Sequence, residues 1–527
     1  MESNLQKIDH IVVLMLENRS FDNMLGFLGA SEGGRQKVNG VAGKDLSNPI
    51  PEYARPTNGI KYVPVGMETE MTNPNPDPGE EYAHVNTQLF GQVIPEQNHY
   101  KPFDTPPYNL PKRRSYTNAP MNGFVTDYIN NFNAELGYMP KYEEYKVIMN
   151  CHAEKSLPVL SMLAKEYAVF DAWFASVPSQ TFCNRSFVHT GTSMGYVSNA
   201  PYYQWLIHDV PTIFNRIEDK QDHKITWRIY YDKLDIVSPT GLLHRSLWKY
   251  RPTNFFHMED FEQDAAQGNL PSYSFIEPRF FIDHNDQHPP LGGILETSNV
   301  LAGELLIHRV YNAVRNGAHW DQTLLIITFD EHGGCYDHVP PPAAVPPDAS
   351  DGEKGFKFDR LGVRVPTVMV SPYIEKGTVI SDTHDHTSIL KVVCDRWNLK
   401  PLTERDKHAN SFEKVLSLKT PRPDMVSIRP RKYKIPLSSL EEPINHLQKA
   451  ILFIMAGYED AVQVESDGNI ISRAQDLFQL VLDERRITRI KTVGQAIHFA
   501  TAFDRRVTKH LSFFEWLQIK IKLLLRF

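Results

Sequence analysis

Apolar positions in this chain fall into two kinds of run. The first kind is continuous. Ile8-Asp9-His10-Ile11-Val12-Val13-Leu14-Met15-Leu16 and Thr323-Leu324-Leu325-Ile326-Ile327-Thr328-Phe329 are short, almost uninterrupted and rich in β-branched residues. That is how strands covered on both faces read. Val169 to Phe174, Thr226 to Tyr231 and Val365 to Ser371 read the same way, the first of them as a strand or strand end. The second kind is periodic. Leu157, Leu160, Leu163, Ala164 and Tyr167 recur at helical spacing, and Leu301 to Val314 forms an amphipathic helix leading into the 323–329 strand. Strands separated by helices predict a mostly parallel sheet with helices on both faces, a three-layer α/β/α sandwich.

Two regions break this pattern. Residues 30 to 120 are polar and rich in glycine and proline, and include Asn73-Pro74-Asn75-Pro76-Asp77-Pro78-Gly79. Loops this long in a compact enzyme form functional rims or lids. Beyond about residue 435 the pattern turns helical, at 440–458, at 472–485 and in the apolar, basic end from Phe513 to Phe527. The expected organisation is a catalytic domain over 1–435 and a helical C-terminal extension over 436–527. The terminal helix reads first as a packed cap. Contact with a membrane surface is the alternative, although Lys520, Lys522 and Arg526 do not share one clean face.

Composition narrows the class. A chain of 527 residues is long enough for a large catalytic domain plus an appendage. A net charge of −7 gives no sign of a nucleic-acid partner. Cys151, Cys183, Cys335 and Cys394 are widely spaced, which implies no disulfide framework. The N-terminus lacks the charge and cleavage pattern of a signal peptide, so a cytoplasmic location is expected, with signal-less export left open.

The chemistry lies where the continuous runs stop. One ends at Glu17-Asn18 and the other, about three hundred residues on, at Asp330-Glu331. Ligands of open α/β sheets bind outside the carboxyl ends of the strands. Glu17, Asn18, Asp330 and Glu331 therefore make a candidate all-oxygen site for a hard divalent cation such as calcium, magnesium or manganese. Taken singly, Glu17-Asn18 reads as a helix cap and Asp330-Glu331 as a strand-to-turn junction. Between them, Pro178-Ser179-Gln180-Thr181-Phe182-Cys183-Asn184-Arg185 sets a hydroxyl at a helix start, with a guanidinium four residues on. Thr181 could attack phosphorus while Arg185 holds phosphate oxygens.

Glu17-Asn18-Arg19-Ser20-Phe21-Asp22, Thr181-Phe182-Cys183-Asn184-Arg185, Asp330-Glu331-His332-Gly333-Gly334 and Tyr336-Asp337-His338-Val339-Pro340-Pro341 resemble the phosphoesterase family. So do Met121-Asn122-Gly123-Phe124, Asn285-Asp286-Gln287-His288-Pro289-Pro290 and Asp385-His386-Thr387-Ser388-Ile389-Leu390. The family groups bacterial and plant non-specific phospholipases C with some acid phosphatases, on a fold similar to alkaline phosphatases, and the likeness runs from residue 8 to about 415.

The resemblance implies metal ligands at Glu17, Asn18, Asp330 and Glu331. Thr181 would be the nucleophile and a fifth ligand, and Asn184 and Arg185 would hold phosphate. His288 would be the acid for the leaving oxygen, oriented by Asp286, with His386, His338 and His332 lining the site. It also brings zinc into the range of metals. His386 has a plainer reading as the cap of the helix starting near Thr387.

Two positions depart from the family pattern. Glu80 follows Asp77-Pro78-Gly79 where the family often has histidine, and His84 is a candidate substitute four residues on. Cys183 stands where proline is common. The resulting expectation is a phospholipase C releasing diacylglycerol and a phosphorylated head group through a phospho-threonine. Its substrate is a phospholipid or small phosphate ester. The rivals are an acid-phosphatase-type phosphomonoesterase and an inactive binding module.

Overall fold

A computed structural model of the protein describes residues 4–30, 38–91, 119–290 and 298–432, a few isolated positions apart, and short stretches between 444 and 499. The predicted helices at 472–485 and 513–527 lie outside the described residues. Of the predicted 440–458 helix, residues 447–455 are described and helical.

The centre is an eight-stranded sheet. Its strands, in chain order, are β1 (His10–Leu16), β2 (Ala168–Phe170), β3 (Trp227–Tyr231), β4 (Phe255–His257), β5 (Tyr273–Ile276), β6 (Thr323–Phe329), β7 (Thr367–Val370) and β8 (Thr378–Ile380). Their order across the sheet is β8-β2-β7-β6-β1-β5-β3-β4. Only β7 runs against its neighbours. The two longest apolar runs, β1 and β6, pair in parallel at the middle, in register from His10 opposite Thr323 to Leu16 opposite Phe329. Six of the seven residues of β1 are buried. At roughly 1.5–3 kcal/mol for each large apolar side chain removed from water, that strand contributes on the order of 10 kcal/mol before the entropy of ordering it.

The principal helices are α1 (Phe21–Leu25), α2 (Tyr82–Phe90), α3 (Phe124–Leu136), α4 (Pro158–Glu166), α5 (Thr181–Thr190), α6 (Ile213–Asp219), α7 (Met258–Gln267), α8 (Val300–Arg315) and α9 (Thr387–Trp397). Strand alternation separates the two faces. On β3, Trp227 meets Phe214 of α6, whereas Tyr230, pointing the other way, meets Phe261 of α7. Helices therefore cover both sides of the sheet, as the sequence predicts.

Three of the short strands, β4, β5 and β8, are absent from the pattern analysis. The predicted 169–174 strand is two pieces. Ala168–Phe170 joins the main sheet, and Trp173–Phe174 pairs separately with His384–Asp385. All four cysteines are free and buried. Among the described residues no helix is long and apolar enough to cross a membrane. The described C-terminal segment packs onto α5, with Leu447, Ile451 and Met455 in one apolar cluster with Phe182, Cys183 and Phe187.

Candidate active site

The parallel register carries past the ends of β1 and β6. The Asp330 amide donates to the Leu16 carbonyl at 3.1 Å and the Arg19 amide to the Glu331 carbonyl at 3.0 Å. The Asn18 amide donates to Asp330 Oδ1 at 3.1 Å. Glu17, Asn18, Asp330 and Glu331 are thus neighbours by construction, and all four are fully buried. The loop that follows β5 joins them, because the Glu17 amide donates to the Asp286 carbonyl at 2.8 Å.

Backbone shape makes this possible. Asn18 has φ 54°, and Gly333 has φ 58°. A Cβ on Gly333 would lie 2.3 Å from the Asn18 carbonyl oxygen, so only glycine allows the two turns to touch. A Cβ on Gly334 would lie 2.6 Å from the Gly79 carbonyl, which is how the 77–80 loop closes over the same turn.

Thr181 is the first residue of α5, and its Oγ1 donates to Glu17 Oε2 at 3.1 Å. Glu17 also takes the guanidinium of Arg185, whose Nε donates to Oε1 at 2.7 Å and whose Nη2 reaches the same oxygen. The Arg185 Nε stands 3.8 Å from Asp330 Oδ2, and Nη2 donates to the Met15 carbonyl at 3.1 Å. Arg185 therefore compensates the ligand carboxylates instead of standing free for phosphate, and only Nη1 has no hydrogen-bond partner.

Asn184 also differs from expectation. Its Oδ1 accepts from the Val177 amide at 3.0 Å, and its Nδ2 donates to the Val177 and Ser179 carbonyls at 3.1 and 2.8 Å. Both ends of the amide are committed to the loop that delivers Thr181, so Asn184 shapes that loop and does not hold phosphate.

The histidines divide. His288 is buried, and its Nδ1 lies 2.7 Å from the Pro289 carbonyl, which can only accept. The ring proton of the neutral form is therefore on Nδ1, and the Nε2 lone pair accepts from Asn18 Nδ2 at 3.1 Å. Burial lowers the His288 pKa to about 4, despite the Asp286 carboxylate nearby. A ring with no exchangeable proton facing the site has the posture of a ligand, not of the expected acid. Asp286 does orient it, through the backbone: Oδ1 accepts from the His288 amide at 3.0 Å and from the His284 ring at 2.9 Å.

His386 is a backbone strut. Its Nε2 donates to the Asp330 carbonyl at 2.6 Å, and Nδ1 lies 3.4 Å from Trp173 Nε1. With both nitrogens engaged, it positions Asp330 and has no proton to exchange with substrate. His332 Nε2 meets Gln88 Oε1 at 2.7 Å, and its Nδ1 stands 3.3 Å from Glu331 Oε2. His338 belongs to a different network, with Asp22 at 2.5 Å and with Arg364, which also binds Asp337. His84 does not stand in for the family histidine at position 80. It pairs with Asp127 at 2.8 Å.

The electrostatics ask for a cation. Burial pushes the carboxyl pKa of Glu331 well above its ordinary value, and Glu80, Asp330 and Glu17 add to the rise. Glu17 is raised as well by burial, with Arg185 pulling it back. Asn18 Oδ1, Asp330 Oδ2 and Glu331 Oε1 are buried oxygens with no hydrogen-bond partner. Orphaned acceptors of this kind are costly unless something positive meets them. Together with Thr181 Oγ1 they form an all-oxygen donor set that fits a divalent ion.

A hydroxyl beside a carboxylate cage at paired strand ends is an arrangement that suits the hydrolysis of phosphoric esters. The sequence match names the family. Residues 8–400 match the Phosphoesterase family model, and the chain belongs to that family. Non-specific phospholipase C6 of Arabidopsis thaliana is 36% identical over 438 residues, covering 79% of this chain and 74% of that one. Phospholipase C B of Mycobacterium tuberculosis is 26% identical over 430 residues, covering 75% and 74% respectively. A protein in the alkaline phosphatase superfamily from Vibrio parahaemolyticus aligns over 49% of this chain and 70% of its own, at 11% identity and a TM-score of 0.29. A likeness that slight carries no argument.

Asp77 and Glu80 enter the site from a loop read only as a rim, and the structure sets both beside His288. The signal was present in the sequence as the departure at Glu80. What it lacked was a partner.

Proposed function

We propose that the chain is a phospholipase C that cleaves the bond between phosphorus and the diacylglycerol oxygen, with Thr181 as nucleophile. The observation that carries this is the pairing of Thr181 Oγ1 with Glu17 Oε2 beside three buried oxygens lacking hydrogen-bond partners. Glu17, Asn18, Thr181, Asp330 and Glu331 would hold a divalent ion. Bound there, it supplies a lowered hydroxyl pKa and charge neutralisation on the phosphoryl group.

The chain's own residues do the rest. Thr181 sits at the N-terminus of α5, where backbone N–H groups favour negative charge. Its oxygen forms a bond to phosphorus and the bond to the glyceride oxygen breaks, leaving a phospho-threonine. The proton Thr181 gives up is matched by the one the leaving oxygen gains. Water then opens the phospho-threonine, releases the head-group phosphate and restores the hydroxyl. Arg185 keeps Glu17 aligned, Asn184 holds the 177–180 loop and His386 fixes the Asp330 backbone. Positioning and charge neutralisation are most of what phosphoryl transfer requires.

The test is hydrolysis of phosphatidylcholine by chelator-stripped protein resupplied with single metals, with products identified. Diacylglycerol and phosphocholine, lost on stripping and restored by metal, are expected. Release of inorganic phosphate from monoesters without diacylglycerol formation would make the chain a phosphatase instead. Full turnover after thorough stripping would contradict the metal role.

A further inference from the structure

We propose that Glu277 is a positioning residue of the active site: its carboxylate balances the Arg185 charge when Glu17 and Asp330 are engaged with a divalent ion, and so keeps Arg185 aligned on Glu17. The inference rests on the proposed function and adds a residue to it.

Strand register places Glu277. It follows β5 directly, as Glu17 follows the neighbouring parallel strand β1. Leu14 pairs with Ile276, so one residue further Glu277 is level with Met15. Level residues share a face of a sheet, and so do residues two apart on one strand. The pleat therefore points Glu277 and Glu17 to the same side. Arg185 reaches both strand ends from α5, with Nη2 on the Met15 carbonyl at 3.1 Å and Nε on Glu17 Oε1 at 2.7 Å. The Phe280 ring, three residues beyond Glu277, lies 5.3 Å from the guanidinium carbon.

Arg185 and Glu277 each hold an unmet group. Arg185 Nη1 and Glu277 Oε2 are buried and have no hydrogen-bond partner. Their charges nevertheless act on each other. Burial disfavours the Arg185 cation, and Glu17, Asp330 and Glu277, in that order, outweigh it. Burial raises the Glu277 carboxyl pKa, while hydrogen bonds from Thr240 and Ser238 and then the Arg185 charge draw it back. The second oxygen of Glu277 is fixed: Oε1 accepts from the Thr240 amide at 2.8 Å, in the first turn of the short helix Pro239–Leu243. The Thr240 hydroxyl lies 3.2 Å from His189 Nε2, and burial keeps both His189 and its neighbour His244 neutral.

Charge gives Glu277 its task. In the absence of an ion, Glu17 and Asp330 both compensate Arg185. An ion held by those carboxylates draws on the same charge and stands close to the guanidinium. Repulsion between like charges is strong where water is excluded. Glu277 lies outside the oxygen set of Glu17, Asn18, Thr181, Asp330 and Glu331, so its charge remains available to Arg185. Arg185 in turn holds Glu17 Oε1 and leaves Oε2 facing Thr181.

Glu277→Gln keeps the size of the side chain and an acceptor for the Thr240 amide while removing the charge. Mn²⁺ binding to the full-length, chelator-stripped protein, followed by calorimetric titration without substrate, is expected to weaken by about 10–100-fold, as for other outer-sphere partners. Glu277→Asp, which restores the charge, is expected to recover part of that affinity. In an Arg185→Gln background, Glu277→Gln is expected to have little further effect, since the partner it serves is gone. Wild-type Mn²⁺ affinity in Glu277→Gln would overturn the role of Glu277 and leave the proposed function standing. An equal loss in the Arg185→Gln background would also overturn it, because Glu277 would then act without Arg185. Should Glu277→Gln alone not fold, the double variant decides: it is expected to fold and to bind Mn²⁺ as Arg185→Gln does, and weaker binding or failure to fold would overturn the pairing. A wild type that binds no Mn²⁺ would remove both this role and the metal-dependent function.

Discussion

Thr181 and Glu17 are 164 positions apart in the chain and 3.1 Å apart in space, hydroxyl to carboxylate. Neither reaches the other through local structure. Glu17 is held by the end of β1, and Thr181 by the loop that Asn184 ties down before α5. Their meeting is a product of the whole sheet, and the proposed role of the hydroxyl as nucleophile rests on it. Replacing Thr181 by alanine is expected to lower kcat/KM by about 10³-fold or more, as for other nucleophile deletions. The melting temperature in chelator should stay close to wild type, while the ion is held by four ligands instead of five. Steady-state hydrolysis of p-nitrophenyl phosphorylcholine measures this, and activity near wild type would exclude Thr181 as the nucleophile.

Arg185 sets a prediction that depends on the ion. Its guanidinium lies between Glu17 and Asp330, all three buried. Removing one partner of a buried charge pair costs roughly 3–5 kcal/mol, because the other charge is left unmet. Arg185→Ala should therefore melt well below wild type in chelator. Adding Mn²⁺ should narrow the gap, since the ion meets the same carboxylates. Thermal melts with and without metal test this, and an unchanged gap would place the ion elsewhere.

Asn184 separates positioning from binding. Its amide touches only the 177–180 loop. Asn184→Ala should reduce kcat by about 10–100-fold through a misplaced Thr181 while leaving KM nearly unchanged. A rise in KM with kcat intact would instead put Asn184 on the substrate.

How far these roles could be read from the chain differs by residue. The carboxylates at 17, 330 and 331 were legible because a continuous apolar run fixes a buried strand, and its end fixes where a ligand must sit. Thr181 was legible from its place at a helix start. Arg185, Asn184, His288 and His386 were found as site residues, but their roles were not, because each role is set by a specific partner that the sequence pattern does not name: Glu17, Val177, the Pro289 carbonyl and the Asp330 carbonyl. Periodicity carries nothing about which nitrogen of a ring faces a carbonyl. The antiparallel direction of β7 and the three- to four-residue strands β4, β5 and β8 escaped for a related reason. Short segments take their form from neighbouring strands more than from their own pattern.

His84 gives the chain a pH-dependent stability term. Burial disfavours its charge, but the Asp127 carboxylate outweighs burial and lifts its pKa to about 9. The unfolded value is near 6.5. A pKa raised on folding stabilises fully below about 6.5 and is lost as pH rises through 9. The melting temperature of wild type should therefore exceed that of His84→Gln most at pH 6, and the two should converge by about pH 9.5. A difference that does not change with pH would mean the pair carries no charge.

The central claim is that Thr181 takes the phosphoryl group while a cation is gathered by Glu17, Asn18, Asp330 and Glu331. Acid quenching of metal-loaded enzyme during phosphatidylcholine turnover, followed by peptide mass spectrometry, examines it directly. A phosphoryl mass increment on Thr181, absent after chelation and absent in Glu331→Ala, is the result this account predicts. Turnover to diacylglycerol with the label on another residue, or on Thr181 without any metal bound, would contradict it.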